Sequence, residues 1–64
     1  MPSSRTVLQK LIAAGWEVDS QKGSHVHLKH PDQPGKITVN HPVRDMTIGT
    51  IKSLERQSGL KLRE

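Results

Sequence analysis

The spacing of apolar residues changes twice along this 64-residue chain, and those two changes constrain its fold more than any single motif. Val7, Leu8, Leu11 and Ile12 recur at helical spacing and form one stripe, with Ser3 and Ser4 as capping residues and Gly15 as the stop. The spacing predicts a helix over Ser4–Ala14. From Trp16 the period becomes two: Trp16 and Val18 alternate with Glu17 and Asp19, the pattern of a half-buried strand. Lys22-Gly23 signals a tight turn. A second strand follows, with Val26 and Leu28 on one face and His25, His27 and Lys29 on the other. Pro31-Asp32-Gln33-Pro34-Gly35 reads as a loop, and Lys36 to Asn40 as a third strand with Ile37 and Val39 inward. Pro42 ends that strand, and residues 43–46 link it to a second helix. Thr47 caps this helix, which carries Ile48, Ile51 and Leu54 and ends at Gly59. Leu60 and Leu62 are placed to fold back onto the core.

The order helix, strand, strand, strand, helix defines an α+β architecture. Short connections make the three strands an antiparallel meander, and two amphipathic helices need one apolar sheet face to cover. The other face stays open. In this register it carries Glu17, Asp19, His25, His27, Lys29, Lys36, Thr38 and Asn40. A one-residue slip would bury these polar groups, which argues against it. The expected organisation is one domain spanning residues 1–64. A chain of this length buries only about 60% of its unfolded surface. With 31% apolar residues, a single Trp and no Cys to cross-link it, its core is thin. A partner that binds only the folded state would add stability by mass action.

A formal net charge of +4 favours polyanions, either nucleic acid or an acidic protein surface. Charge alone is equally compatible with a basic protein that binds neither. The ten Lys and Arg residues are dispersed, which excludes a disordered basic arm. No apolar run approaches a membrane span. Gln9 and Lys10 break the stretch from Val7 to Ala14, so it does not form a signal-peptide core. The expected location is the cytoplasm.

Chemistry in this chain falls to histidine. There is no Cys, no nucleophile elbow, no phosphate-binding glycine loop and no recognisable pair of carboxylates. Imidazole, with an ordinary pKa near 6.5, accepts and donates protons at neutral pH. RNA brings its own nucleophile, the 2′-hydroxyl, so one base near cationic side chains is enough to cleave it. His25 follows the Gly23 turn, near Lys22 and Lys29 in sequence. Spacing alone leaves three readings of it: an exposed histidine with no role, a general base, or a metal ligand with His27 and His41. His27, His30 and His41 are expected as solvated or substrate-facing groups. Trp16 reads as a core anchor rather than a base-stacking platform.

Four segments in their order are similar to the HicA toxins. They are Gly15-Trp16 after an amphipathic helix, Lys22-Gly23-Ser24-His25 opening a strand, Val39-Asn40-His41-Pro42 closing the third strand, and Gly49-Thr50-Ile51 through Ser58-Gly59-Leu60. The resemblance covers nearly the whole chain. It implies a fold like that of double-stranded-RNA-binding domains, and a toxin that cuts mRNA; one base beside cationic side chains needs no metal or organic cofactor for that. It implies that His25 is the catalytic residue, and that a HicB-type antitoxin binds the toxin and masks its active site. The expected RNA-binding residues are Lys22, Gly23, Ser24 and Lys29. Asn40 departs from the family, which often has Pro there, and a local change at the strand end or in RNA contact is expected. The competing reading is a non-catalytic RNA-binding module of the same fold, which would read shape and phosphates.

Overall fold

A computed structural model describes residues 2–63. Helix α1 spans Ser4–Ala13, strands β1, β2 and β3 span Glu17–Lys22, His25–His30 and Gln33–Asn40, and helix α2 spans Ile48–Ser58. The strands form one antiparallel sheet in the order β1-β2-β3. Its buried residues are Val26, Leu28, Ile37 and Val39, all on one face, and they join a single cluster with Val7 and Leu11 of α1 and Ile51 and Leu54 of α2. Both helices therefore lie on that face, and the predicted α+β architecture is the one observed.

Ser3 caps α1, its hydroxyl accepting the Thr6 N–H at 3.2 Å, while Ser4 is the first helical residue and is buried. The helix ends one residue earlier than the spacing predicts, with Ala14 as cap. Gly15, at φ +100°, donates its N–H to Ile12 O, and Trp16 donates to Leu11 O at 3.0 Å. This pair of reversed bonds satisfies helix-end carbonyls and requires a left-handed residue between them. A side chain at Gly15 would also collide with His30, whose Nε2 lies 2.8 Å from where a Cβ would stand. The predicted stripe is narrower than its four apolar residues. Val7 and Leu11 are fully buried and Leu8 packs partly against the core, but Ile12 is 52% exposed.

Two expectations for the sheet need correction. β1 is not half-buried: every residue in it is exposed, Val18 included, and Trp16 precedes it. β1 lies at the sheet edge, and the apolar contribution of the sheet comes from β2 and β3 alone. The five residues from Pro31 to Gly35 are not all loop. Only Pro31 and Asp32 turn, and β3 begins at Gln33. Pro34 and Gly35 are accommodated as extra residues where the register shifts, since Lys29 faces Lys36 but His30 faces Gln33. An edge strand tolerates Pro at a bulge because no ladder bond is lost there.

The link between β3 and α2 is part of the core. Met46 is buried, and Val43 exchanges bonds with Ser4, donating its N–H to the Ser4 hydroxyl and accepting the Ser4 N–H on its carbonyl. Thr47 caps α2, and Gly59 ends it at φ +74°. Leu62 is fully buried, as the sequence pattern predicts, and the Glu55 carboxylate holds the tail by accepting the Leu62 N–H and the Arg63 Nε–H. Those bonds hold the Glu55 carboxyl below its ordinary range, the Leu62 N–H being the larger cause.

Candidate active site on the uncovered sheet face

Residues opposite one another in an antiparallel ladder share a face. The uncovered face is therefore three rows of side chains: Lys22, His25 and Asn40; Ser20, His27 and Thr38; Glu17, Lys29 and Lys36. All the residues expected on this face are on it. Lys22 is there because of an irregularity the sequence does not announce. The register slips between Val18 and Ser20, so Asp19 is an extra residue in β1. Strict alternation would put Lys22 on the opposite face from Asp19. The bulge flips the phase and sets Lys22 opposite His25.

His25 is exposed at the start of β2, and its ring makes no hydrogen bond among the described residues. The hairpin before it is two residues long. Gly23, at φ +55°, supplies the first position, which such a turn reserves for a left-handed residue, and Ser24 supplies the second. The Gln21 amide donates to Gly23 O at 3.2 Å, and Ser24 O accepts the His41 N–H at 2.7 Å. The tip carrying Gly23 and Ser24 is thus tied to the end of β3.

The other histidines separate into two kinds. His27 is half-buried on the open face, with Nδ1 3.0 Å from Thr38 Oγ1. His30 and His41, expected as solvated or substrate-facing groups, are half-buried and bonded to other parts of the chain. His30 Nδ1 accepts the Asp32 N–H, so its proton sits on Nε2, which donates to Ala14 O at 3.1 Å. Its ring meets Trp16 edge-on, with centroids 5.2 Å apart. His30 therefore pins the β2–β3 turn to the end of α1. His41 Nδ1 lies 2.8 Å from Ser4 Oγ. That hydroxyl also accepts the Val43 N–H. Among the described residues no three His, Asp or Glu side chains converge as metal ligands would, and His41 is engaged away from His25 and His27.

Lys29 does not stand alone as a cation. Asp19 lies between Lys36 Nζ at 2.9 Å and Lys29 Nζ at 3.6 Å. Lys36 above all holds the Asp19 carboxyl below its ordinary range, through a hydrogen bond and its charge. Sequence reasoning singled out neither the Asp19–Lys36 pair nor the His27–Thr38 pair. Both depend on register: the place of Asp19 on the β1 bulge, and the His27–Thr38 pairing on the β2–β3 ladder, where Pro34 and Gly35 are extra residues. Trp16, 2% exposed, is the core anchor expected of it.

The fold and this face define a class: a small α+β domain that leaves one face of a three-stranded sheet open and dresses it with imidazoles and lysines. A family model described as "HicA toxin of bacterial toxin-antitoxin" matches residues 4–60. The chain belongs to the HicA toxin family. Among solved structures it is similar to a chain of a complex described as "HicA3 and HicB3 toxin-antitoxin complex". The two are 28% identical, the likeness covers 94% of this chain and 97% of that one, and the TM-score is 0.84. A search of curated protein sequences gives no match. No helix among the described residues is long and apolar enough to cross a membrane.

Proposed function

We propose that this protein is the toxin of a toxin–antitoxin pair and acts in the cytoplasm as a metal-independent endoribonuclease on mRNA, with His25 as general base. The observation that carries this reading is the state of His25. Its ring is exposed and unengaged, on a face where Lys22 stands opposite it and two further lysines lie along the sheet. Neutral His25 takes the 2′-hydroxyl proton, the 2′-oxygen attacks phosphorus, and the bond to the 5′-oxygen breaks. The products are a 2′,3′-cyclic phosphate and a 5′-hydroxyl. A positioned base contributes on the order of 10² to 10⁴ in rate. Lys22 and Lys29 contact phosphate and stabilise charge developing on it. Gly23 and Ser24 at the hairpin tip lie against the RNA backbone beside His25.

The proposed partner is a HicB-type antitoxin, supported by the similar chain that forms a complex with HicB3. An acidic surface would complement the basic face and cover His25. We read residues 1–64 as one functional domain, because the elements share one core.

The test is cleavage of RNA by the wild-type protein and by His25→Ala, both with EDTA present and with the product ends identified. Cleavage by wild type alone, leaving cyclic-phosphate and 5′-hydroxyl ends, is the expected result. Equal cleavage by both proteins would overturn the role of His25. Binding without cleavage by either would make the protein a non-catalytic RNA binder.

A further inference from the structure

Cleavage by this route needs two proton transfers. A base removes the 2′-proton, and an acid must protonate the departing 5′-oxygen, because an alkoxide is a poor leaving group near neutrality. The chain offers four imidazoles for the second task. His30 has both nitrogens committed, one to Asp32 N–H and one to Ala14 O. His41 is bonded through Nδ1 to the buried Ser4 hydroxyl, at the start of α1. Only His25 and His27 remain on the open face.

We propose that His27 is the general acid, working opposite His25 across the scissile phosphate; the assignment rests on the ribonuclease reading above. The two residues are i and i+2 on β2, so their side chains leave the same face roughly 7 Å apart. Each imidazole reaches its oxygen through a hydrogen bond of about 2.8 Å. A phosphorus with its attacking and leaving oxygens on opposite sides fits between them. Thr38 Oγ1 holds His27 Nδ1 at 3.0 Å and so fixes the ring, leaving Nε2 as the nitrogen that meets substrate.

The surroundings suit the task. Asp19 and Ser20 face His27 from β1, His25 and Lys29 flank it on β2, and Lys36 and Asn40 flank Thr38 on β3. Asp19 is turned to Lys36 and Lys29, so it does not take the proton His27 is to deliver. The step balances. The 2′-proton passes to His25, the bond from O2′ to phosphorus forms, the bond from phosphorus to O5′ breaks, and O5′ takes the His27 proton. Exchange with solvent then resets both rings.

The test compares two substrates. One is an ordinary short RNA; in the other the scissile 5′-oxygen is replaced by sulfur, which departs as a thiolate and needs no acid. His27→Ala and His27→Gln should cut ordinary RNA about 10² to 10⁴ times more slowly than wild type. On the sulfur-bridged RNA both should approach the wild-type rate, which also shows that they are folded. His25→Ala should be slow on both. For wild type, kcat/KM should follow a bell-shaped pH profile that loses its alkaline limb in His27→Gln. Equal losses on the two substrates, or full activity of both His27 variants on ordinary RNA, would overturn the assignment while leaving the ribonuclease reading intact. A wild-type protein inert on both substrates would overturn that reading, and this assignment with it.

Discussion

Asp19 is a carboxylate among the cations of a face proposed to bind a polyanion. Its oxygens lie 2.9 and 3.6 Å from Lys36 and Lys29 nitrogens, where a phosphate would otherwise sit. RNA must displace it to use either lysine. Asp19→Asn, made in the His25→Ala background to prevent cleavage, should therefore tighten RNA binding at low salt. It should also steepen the dependence of log affinity on log salt by about 0.7 for each lysine released. A titration of labelled RNA at several salt concentrations reads both quantities, and an unchanged slope would mean that RNA does not touch these lysines. Nothing in the sequence around Asp19 announces its role. It follows from a bulge between Val18 and Ser20 that no Gly or Pro marks in the sequence.

Among the elements, the carboxy-terminal tail is small but carries weight. Leu62 lies outside both helices yet is fully buried, and Glu55 on α2 fixes the backbone that places it. Leu62→Ala should cost about 2 to 5 kcal/mol, the range for truncating a buried leucine. A domain of this length has on the order of 3 to 10 kcal/mol in total. Urea unfolding of the variant measures the loss; a change near zero would mean that the tail packs without stabilising. The elements were readable wherever one residue type dictates one geometry. Gly15 and Gly59 ended their helices, Gly23 made its hairpin, and alternation in β2 and β3 sorted the inward residues from the outward. Reading failed where the environment decides. Val18 alternates like a core residue, but it lies on an edge strand whose residues are all exposed. Pro34 and Gly35 carry every local mark of a loop, yet a strand edge absorbs them as a bulge. The open face was legible for its members but not for its pairings. His30 and His41 could not be told from His25 and His27 by spacing, because what distinguishes them is a bond to Ala14 or Ser4, distant in sequence.

For the molecule as a whole, acid should loosen the same contacts that order the tail and the sheet. Asp19 and Glu55 both have folded-state carboxyl pKa values held below their ordinary 3.8 and 4.5, Asp19 chiefly by Lys36 and Glu55 chiefly by the Leu62 N–H. The unfolded chain thus binds protons first. Their stabilisation is present above those ordinary values and is lost as pH falls through the lower folded ones. The unfolding midpoint should fall below about pH 4.5, and salt should shrink the exposed Asp19 contribution more than that of the Glu55 backbone bond. Calorimetric scans from pH 7 to pH 2.5, at low and high salt, test this; a midpoint unchanged to pH 2.5 would refute it. The bond from His41 N–H to Ser24 O adds one more property of the whole. It joins the hairpin tip to the strand end that Ser4 and Val43 anchor, so the backbone leading into His25 is a strut rather than a free arm. The entropy of ordering that backbone is lost once, when the chain folds, and need not be lost again at each encounter with a substrate. One backbone bond thus steadies the strand start that carries His25 and leaves its ring free to turn.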